Sequence, residues 1–357
     1  MTNAADTRPR TNLLNLTRSE LEAFVVDELK QPRFRSDQLW HWIWHKGALG
    51  FGDMTNLSKD LKAKLAERAS LDRPQIDVVR QSVDGTIKLL LRLADGERIE
   101  TVLIPMGPHY TQCLSTQVGC AMACAFCSTG ELGLTRNMTA GEILGQILVG
   151  RAHLAQAGLP TVRNLVFMGM GEPLMNLTEL LRSLETLGSA EGISIASRRA
   201  TVSSVGIPAG LKILGDSGLA VPAISLHAPT QELRAKLMPK AARVPLDELL
   251  ACLDRYPIKP RERVTYEYIM LGGVNDSIAH AKQLVKLLGH RRCKVNLIGY
   301  NPPPPDSGIA APFRAPQQAD VLAFEDYLRS KRITTFLRRS MGQDIAAACG
   351  QLKLIAG

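Results

Sequence analysis

No run of about 18 consecutive apolar residues occurs in this chain of 357, so no segment reads as a membrane-spanning helix. The polar start MTNAADTRPR lacks the apolar stretch of a secretion signal, and the expected location is cytoplasmic. No internal repeat of fixed period appears. Seven cysteines are present, an odd number in a chain of this size, and they argue against a disulfide framework and toward metal binding or thiol chemistry. Aromatic residues make up only 5% of the chain, yet 45% of it is hydrophobic, enough for one large core with a smaller domain attached. A formal charge of +9 would attract a polyanion.

The first part of the chain reads as helical. Residues Thr17 to Leu29 open on the capping box Thr17 and Glu20, and a second segment carries Leu57, Leu61 and Leu65 at four-residue spacing. Between them stand Trp40, Trp42 and Trp44 with a basic rim of Arg33, Arg35, His41, His45 and Lys46; the tryptophans are read as core bulk rather than base-stacking platforms. An alternating hairpin follows, Thr86 to Leu93 and Arg98 to Ile104, turning through Asp95-Gly96 and expected to close one end of a barrel. From Thr111 onward strand-like segments alternate with helical ones: Cys113 to Val118, Asn164 to Met168, Ala200 to Ser204, Val221 to Ser225, Val264 to Met270, Lys294 to Ile298 and Ile333 to Leu337. The capping box Thr139 and Glu142 starts one of the intervening helices. Repeated βα units predict a parallel sheet or barrel with its site at the carboxyl ends of the strands. The run Asn301-Pro302-Pro303-Pro304-Pro305 interrupts the pattern as an extended loop.

The strongest chemical signal is Cys120-Ala-Met-Ala-Cys124-Ala-Phe-Cys127. Three thiolates on one short loop can hold three irons of a [4Fe-4S] cluster and leave the fourth open. Zinc is the alternative, but a structural zinc site needs four ligands, and no second short-spaced pair is present.

This spacing, with an aromatic residue before the third cysteine, resembles the radical S-adenosylmethionine (SAM) superfamily. Further stretches narrow the resemblance: Cys113-Leu-Ser-Thr-Gln-Val-Gly-Cys120, Met168-Gly-Met-Gly-Glu172-Pro173, Ser225-Leu-His-Ala-Pro229, Asn296-Leu-Ile-Gly-Tyr-Asn301-Pro and Ala347-Ala-Cys349-Gly-Gln-Leu352. Together they resemble the bacterial adenine-C2 RNA methyltransferases, which act on 23S rRNA and, in many members, on tRNA. The resemblance implies an α/β fold, a radical SAM partial (β/α)6-type barrel with a small N-terminal helical domain and a connecting β-hairpin. The division expected is an RNA-engaging helical domain over residues 1–80, the hairpin over 81–110, the barrel over 111–340 and a tail over 341–357.

The resemblance also implies the site. Cys120, Cys124 and Cys127 would hold the [4Fe-4S] cluster. Gly171, Glu172, Ser203, Ser225, Leu226, His227 and Asn301 match SAM-contacting positions. Adenine C2 is electron-poor and cannot attack the SAM methyl as an ordinary nucleophile, so a radical route is needed. Cys349 would carry a methyl group taken from one SAM, a second SAM would supply the radical, Cys113 would resolve the RNA adduct, and Glu100 aligns with the proposed base. Each residue has a plainer reading: Cys113 and Cys349 as small buried residues, Glu100 as a solvent-facing strand glutamate, Gly171 and Glu172 as a turn. Cys252 and Cys293 match no functional position and read as structural. Candidate phosphate anchors are Arg198, Arg199, Arg234, Lys236, Lys240, Arg338 and Arg339.

The implied partners are free 23S rRNA and tRNA, a flavodoxin-like electron donor and a thiol reductant, with the protein acting as a monomer. Alternative functions are the related adenine-C8 methylation and a non-catalytic iron-sulfur or zinc RNA-binding module; a glycyl-radical activating enzyme would leave Cys349 and the basic charge without a purpose.

Overall fold

The structure, a computed structural model, describes residues 10–303 and 312–354. Strand β1 (Thr11–Asn12) pairs in parallel with β2 (Ala69–Ser70) and so ties together the two ends of a helical unit. Within it, α1 (Arg18–Ala23) begins at Thr17, whose N–H donates to Glu20 Oε2 at 2.8 Å while Glu20 N–H returns a bond to the threonine hydroxyl, and the helix widens into a π turn over Phe24–Glu28. Helix α2 (Phe34–Trp40) runs into a second such turn, His41–His45, and α3 (Lys59–Arg68) buries Leu61 and Leu65. Trp40 and Trp44 are buried edge to face with ring centroids 5.8 Å apart, which is the packing role expected of them.

A ten-stranded sheet follows. In chain order its strands are β3 (Gln75–Gln81), β4 (Ile87–Arg92), β5 (Arg98–Met106), β6 (His109–Cys113), β9 (Val162–Phe167), β10 (Ala200–Ser204), β11 (Pro222–Ser225), β12 (Val264–Met270), β13 (Cys293–Gly299) and β14 (Thr334–Arg338); the remaining pair, β7 (Gln117–Gly119) and β8 (Leu134–Asn137), forms a separate ribbon. The spatial order is β14-β13-β12-β11-β10-β9-β6-β5-β4-β3. The seven strands from β6 to β14 in this sheet are parallel, and β5, β4 and β3 continue it antiparallel.

The helices α4 (Ala140–Gln156), α5 (Leu177–Gly188), α6 (Pro208–Ser217), α7 (Gln231–Leu237), α8 (Leu246–Asp254), α9 (Ile278–Leu288) and α10 (Gln318–Ser330) connect the parallel strands. Helix α4 starts at the predicted Thr139–Glu142 capping box and buries Ile143, Leu144, Ile147 and Leu148. The helical unit docks on this layer: Gly141 N–H donates to Asn15 Oδ1 at 2.9 Å, and Arg182 donates to Glu20 and to the Asn15 carbonyl. A Cβ at Gly141 would stand 2.5 Å from that Asn15 oxygen, so only glycine permits the approach.

Two expectations are corrected. The Asp95-Gly96 hairpin forms as predicted, but instead of closing the end of a barrel it extends the sheet, because β5 lies alongside β6. The strand expected over Cys113 to Val118 stops at Cys113. Beyond it the Gln146 side chain accepts from Ser115 N–H at 2.9 Å and donates to Ser115 C=O at 2.8 Å, replacing ladder bonds with a side-chain clamp. Of the proline run, Pro304 and Pro305 lie outside the described residues.

Candidate active site

The cysteine loop leaves β7 through Gly119, whose φ is +77° and where a Cβ would lie 2.0 Å from the Gly133 carbonyl oxygen. Cys120 N–H donates to that same carbonyl at 2.6 Å, fixing the first cysteine. The loop is held at its middle by Ala125 N–H to Leu237 C=O, 2.9 Å, and at its end by Ser128 N–H to Gly350 C=O, 2.7 Å. Met122, Cys124 and Phe126 pack against a second, smaller apolar cluster that includes Val205, Leu237, Ile269 and Tyr300.

Burial pushes all three thiols up, Cys120 to about 11; Cys127 raises Cys120 and Cys124 further, and Cys127 is itself raised by Cys349 of the tail. Mutual interaction of this kind requires the three sulfurs to face a common space. They do not converge on one point, since among the described residues no group of three His, Cys, Asp or Glu side chains is placed to hold a single ion. A [4Fe-4S] cluster takes each thiolate on a different iron and fits this wider arrangement better than zinc, which needs four convergent ligands.

Most of the residues expected to contact SAM stand around the carboxyl ends of neighbouring parallel strands. Gly171, after β9, has φ +102°, and a Cβ there would meet Gln117 at 2.7 Å. Glu172 is buried; its two carboxyl oxygens accept from Leu174 N–H at 3.0 Å and Val205 N–H at 2.8 Å, and burial drives its pKa up against those bonds. Ser203 lies on β10, Ser225 ends β11 and Leu226 is fully buried after it. His227 adopts φ +55°, its Nδ1 accepts from Ile269 N–H at 3.0 Å, and burial followed by the Arg234 charge pulls its pKa down to about 3, so the imidazole is neutral. Asn301, beyond β13, accepts at its carbonyl from Gln351 of the tail at 3.1 Å.

Cys113 and Cys349 line one cavity of about 670 Å³ on the inner face of the sheet. Each raises or perturbs its surroundings through charge: Cys113 is pushed up to about 12, by burial first and then by Cys349, and Cys349 in turn acts on Cys127. Cys349 is exposed and lines that cavity, and its neighbour Gly350 accepts from Ser128 N–H at the end of the cysteine loop. Arg338, at the end of β14, points into the same space with Nη1 3.3 Å from Met168 Sδ; its charge is stabilised by Cys349 first, then by Glu267 and Cys113.

Glu100 is placed differently. It is 0% exposed, paired at 3.0 Å with Lys88, and its Oε2 accepts from Lys353 N–H at 3.0 Å and Leu354 N–H at 3.4 Å. It does not line the cavity of the two cysteines but lies under the tail that carries Cys349. Lys88 Nζ also donates to Ala346 C=O at 3.1 Å, so the pair grips the tail on both sides of Cys349.

Among the basic candidates, Arg198, Arg199 and Arg339 reach the cavity mouth. Arg234 is corrected: it is 0% exposed, donates to the carbonyls of Ala241, Val244 and Val205, and acts electrostatically on Cys124, so it is no phosphate anchor. Cys252 and Cys293 pack with the main apolar core, and their sulfurs face the backbone carbonyls of Pro208 and Leu288. Sequence reasoning missed Glu267 and Asn296 on the cavity wall. A carboxylate within the otherwise apolar Val264 to Met270 strand was the available signal.

Residues 11–71 match the family model described as ribosomal RNA large subunit methyltransferase N-terminal domain, and residues 114–285 match the radical SAM superfamily. The dual-specificity RNA methyltransferase RlmN of Nitratidesulfovibrio vulgaris is 57% identical over 350 residues, covering 96% of this chain and 95% of that protein. That of Geotalea uraniireducens is 42% identical over 344 residues, covering 96% and 97%. The crystal structure of a radical SAM methyltransferase from Sphaerobacter thermophilus superposes with a TM-score of 0.90 at 42% identity, covering 97% of this chain and all of that one. With both family models matched in order and this identity sustained across nearly the whole chain, the protein belongs to the radical SAM dual-specificity RNA methyltransferases and uses that superfamily's [4Fe-4S] cluster and SAM.

Proposed function

We propose that the protein methylates C2 of an adenine in free 23S rRNA and in tRNA, with Cys349 as methyl carrier and Cys113 as resolving thiol. The observation that carries this reading is the shared cavity of Cys113 and Cys349 beside the cluster loop. Cys120, Cys124 and Cys127 would hold the cluster, and Gly171, Glu172, Ser203, Ser225, Leu226, His227 and Asn301 would hold SAM. When bound, these groups supply the methyl that Cys349 carries and the radical that removes one of its hydrogens.

The remaining chemistry belongs to this chain. Cys349 stays joined to RNA through its sulfur and the new carbon at C2. Removal of the C2 proton, assigned to Glu100 once the tail has lifted from it, prepares the adduct for cleavage. Cys113, as its thiolate, then attacks the Cys349 sulfur, the sulfur–carbon bond breaks with its electron pair going to the released carbon, which takes up a proton to become the methyl group on RNA, and the two cysteines end as a disulfide that a thiol reductant reopens. Cys113 is a weak nucleophile while its thiol is pushed up to about 12 by burial, and the Arg338 guanidinium is the group on hand to favour its thiolate.

Residues 1–80 are assigned to RNA engagement, 81–110 to the hairpin, 111–340 to the barrel and 341–357 to the carrier tail. A flavodoxin-like donor would reduce the cluster, and the protein would act as a cytoplasmic monomer; among the described residues no helix is long and apolar enough to cross a membrane. The test is mass spectrometry of nucleosides after anaerobic incubation of reconstituted protein with reductant, methyl-labelled SAM and unmodified 23S rRNA or tRNA. Labelled 2-methyladenosine is expected. Labelled 8-methyladenosine, or SAM cleavage with no methylated adenosine, would overturn the assigned position or the assigned substrate.

A further inference from the structure

Glu267 sits in the middle of β12 with 3% of its surface exposed, and it is the one carboxylate among the described residues lining the cavity of Cys113 and Cys349. Asn296, on the neighbouring β13 and opposite it in register, donates from Nδ2 to Glu267 Oε1 at 2.9 Å and so fixes the carboxyl plane. The other oxygen, Oε2, is buried and has no hydrogen-bond partner among the described residues. A buried acceptor left unsatisfied is costly, which makes this oxygen a point where an incoming donor gains a full hydrogen bond. Among the described residues no salt bridge engages it; the charges of Arg338, which also acts on both cysteines, and of Lys294 act on it from the same cavity.

A nucleotide base is the ligand that the assigned reaction brings here, and the cavity is within the usual range of about 300–1,000 Å³ for small-molecule sites. Adenine linked to ribose has one hydrogen-bond donor group, its 6-amino group. That group shares the Watson–Crick edge with C2, one ring nitrogen away, so a base presenting C2 to the cysteines also presents its amino group inward. We propose that Glu267 Oε2, oriented by Asn296, accepts a hydrogen bond from the 6-amino group of the target adenine and determines specificity for that base. As an ionised carboxylate Glu267 accepts at Oε2, and a base with a carbonyl at position 6 would then set acceptor against acceptor. This inference rests on the reading of the chain as an adenine methyltransferase.

The experiment compares RNA carrying adenosine with RNA carrying purine riboside, which lacks only the 6-amino group, at the target position. Methyl transfer per unit of kcat/KM is measured for the wild type, Glu267→Gln and Glu267→Ala. The wild type should prefer adenosine by about ten- to a hundredfold, the scale of one hydrogen bond to a buried charged group. E267A should lose most of that preference by becoming slower on adenosine while changing little on purine, and E267Q, which keeps an oxygen acceptor, should retain part of it. Thermal unfolding of each variant checks that the strand pairing is intact, and E267Q carries the comparison if E267A does not fold. Equal discrimination in the wild type and folded variants would overturn the inference while leaving the proposed function standing. Failure of the wild type to methylate adenosine would overturn the function and this inference with it.

Discussion

At the residue scale the two cysteines differ in the way the proposed two-cysteine chemistry needs. Cys113 is buried at the end of a strand and fixed by it, whereas Cys349 is exposed on a tail segment. Cys113→Ala should therefore trap a covalent protein–RNA adduct in the presence of SAM and reductant, seen as a shifted band on a denaturing gel, and Cys349→Ala should give none. Equal turnover by the two variants would remove the two-cysteine mechanism. His227 carries a second prediction. Its pKa falls from 6.5 to about 3 on folding, by burial first, so the unfolded chain takes up the proton before the folded one. The stability from this group is present in full above about pH 6.5 and is lost as pH falls toward 3. His227→Gln should make the decline of unfolding free energy between about pH 7 and about pH 5 shallower than in the wild type, as followed by denaturant titration. An unchanged slope would mean that the imidazole charges freely in the folded state.

At the scale of elements, the tail is stapled to the sheet by a buried ion pair rather than by apolar packing alone. Lys88 on β4 and Glu100 on β5 are diagonal neighbours, 3% and 0% exposed, and between them they hold the carbonyl of Ala346 and the amides of Lys353 and Leu354. Removing one partner leaves the other charge buried and unpaired, a loss of about 3–5 kcal/mol. Lys88→Met should thus lower stability on that scale and speed proteolytic cleavage beyond Arg338, and the double change with Glu100→Leu should recover part of the stability. If Lys88→Met neither destabilises the protein nor frees the tail, the pair is not the clamp. The same contacts would link the proposed carrier, Cys349, to the proposed base, since Glu100 is covered as long as the tail lies down.

At the scale of the whole molecule, the +9 charge and the arginines at the cavity mouth make RNA binding an electrostatic event. Each phosphate neutralised releases counterions, so the logarithm of affinity should fall linearly with the logarithm of salt concentration. Arg198 and Arg199 stand together just before β10, and replacing both by Ala should weaken binding on every RNA sequence alike and reduce the salt slope by about one to two. Fluorescence anisotropy at several salt concentrations measures this; an unchanged slope would place the RNA path elsewhere.

Local chemistry was legible in the sequence because local rules decide it. The capping boxes at Thr17 and Thr139, the Asp95-Gly96 turn, six of the seven parallel-sheet strands, and the three-cysteine loop all depend on residues a few positions apart. The strand expected to run on from Cys113 was cut by Gln146, some thirty positions away in sequence, whose side chain outcompetes the ladder at Ser115. Arg234 reads as a basic surface residue in a polar helix, and only the packing of α7 against the cysteine loop turns it inward. The resemblance had already linked Cys113 to Cys349, whereas the covering of Glu100 by the tail and the Glu267 oxygen left without a partner among the described residues belong to the tertiary structure alone. Each depends on strands and tail segments brought together from far apart in the chain, and side-chain burial at such junctions is set by the folded sheet rather than by neighbours in sequence.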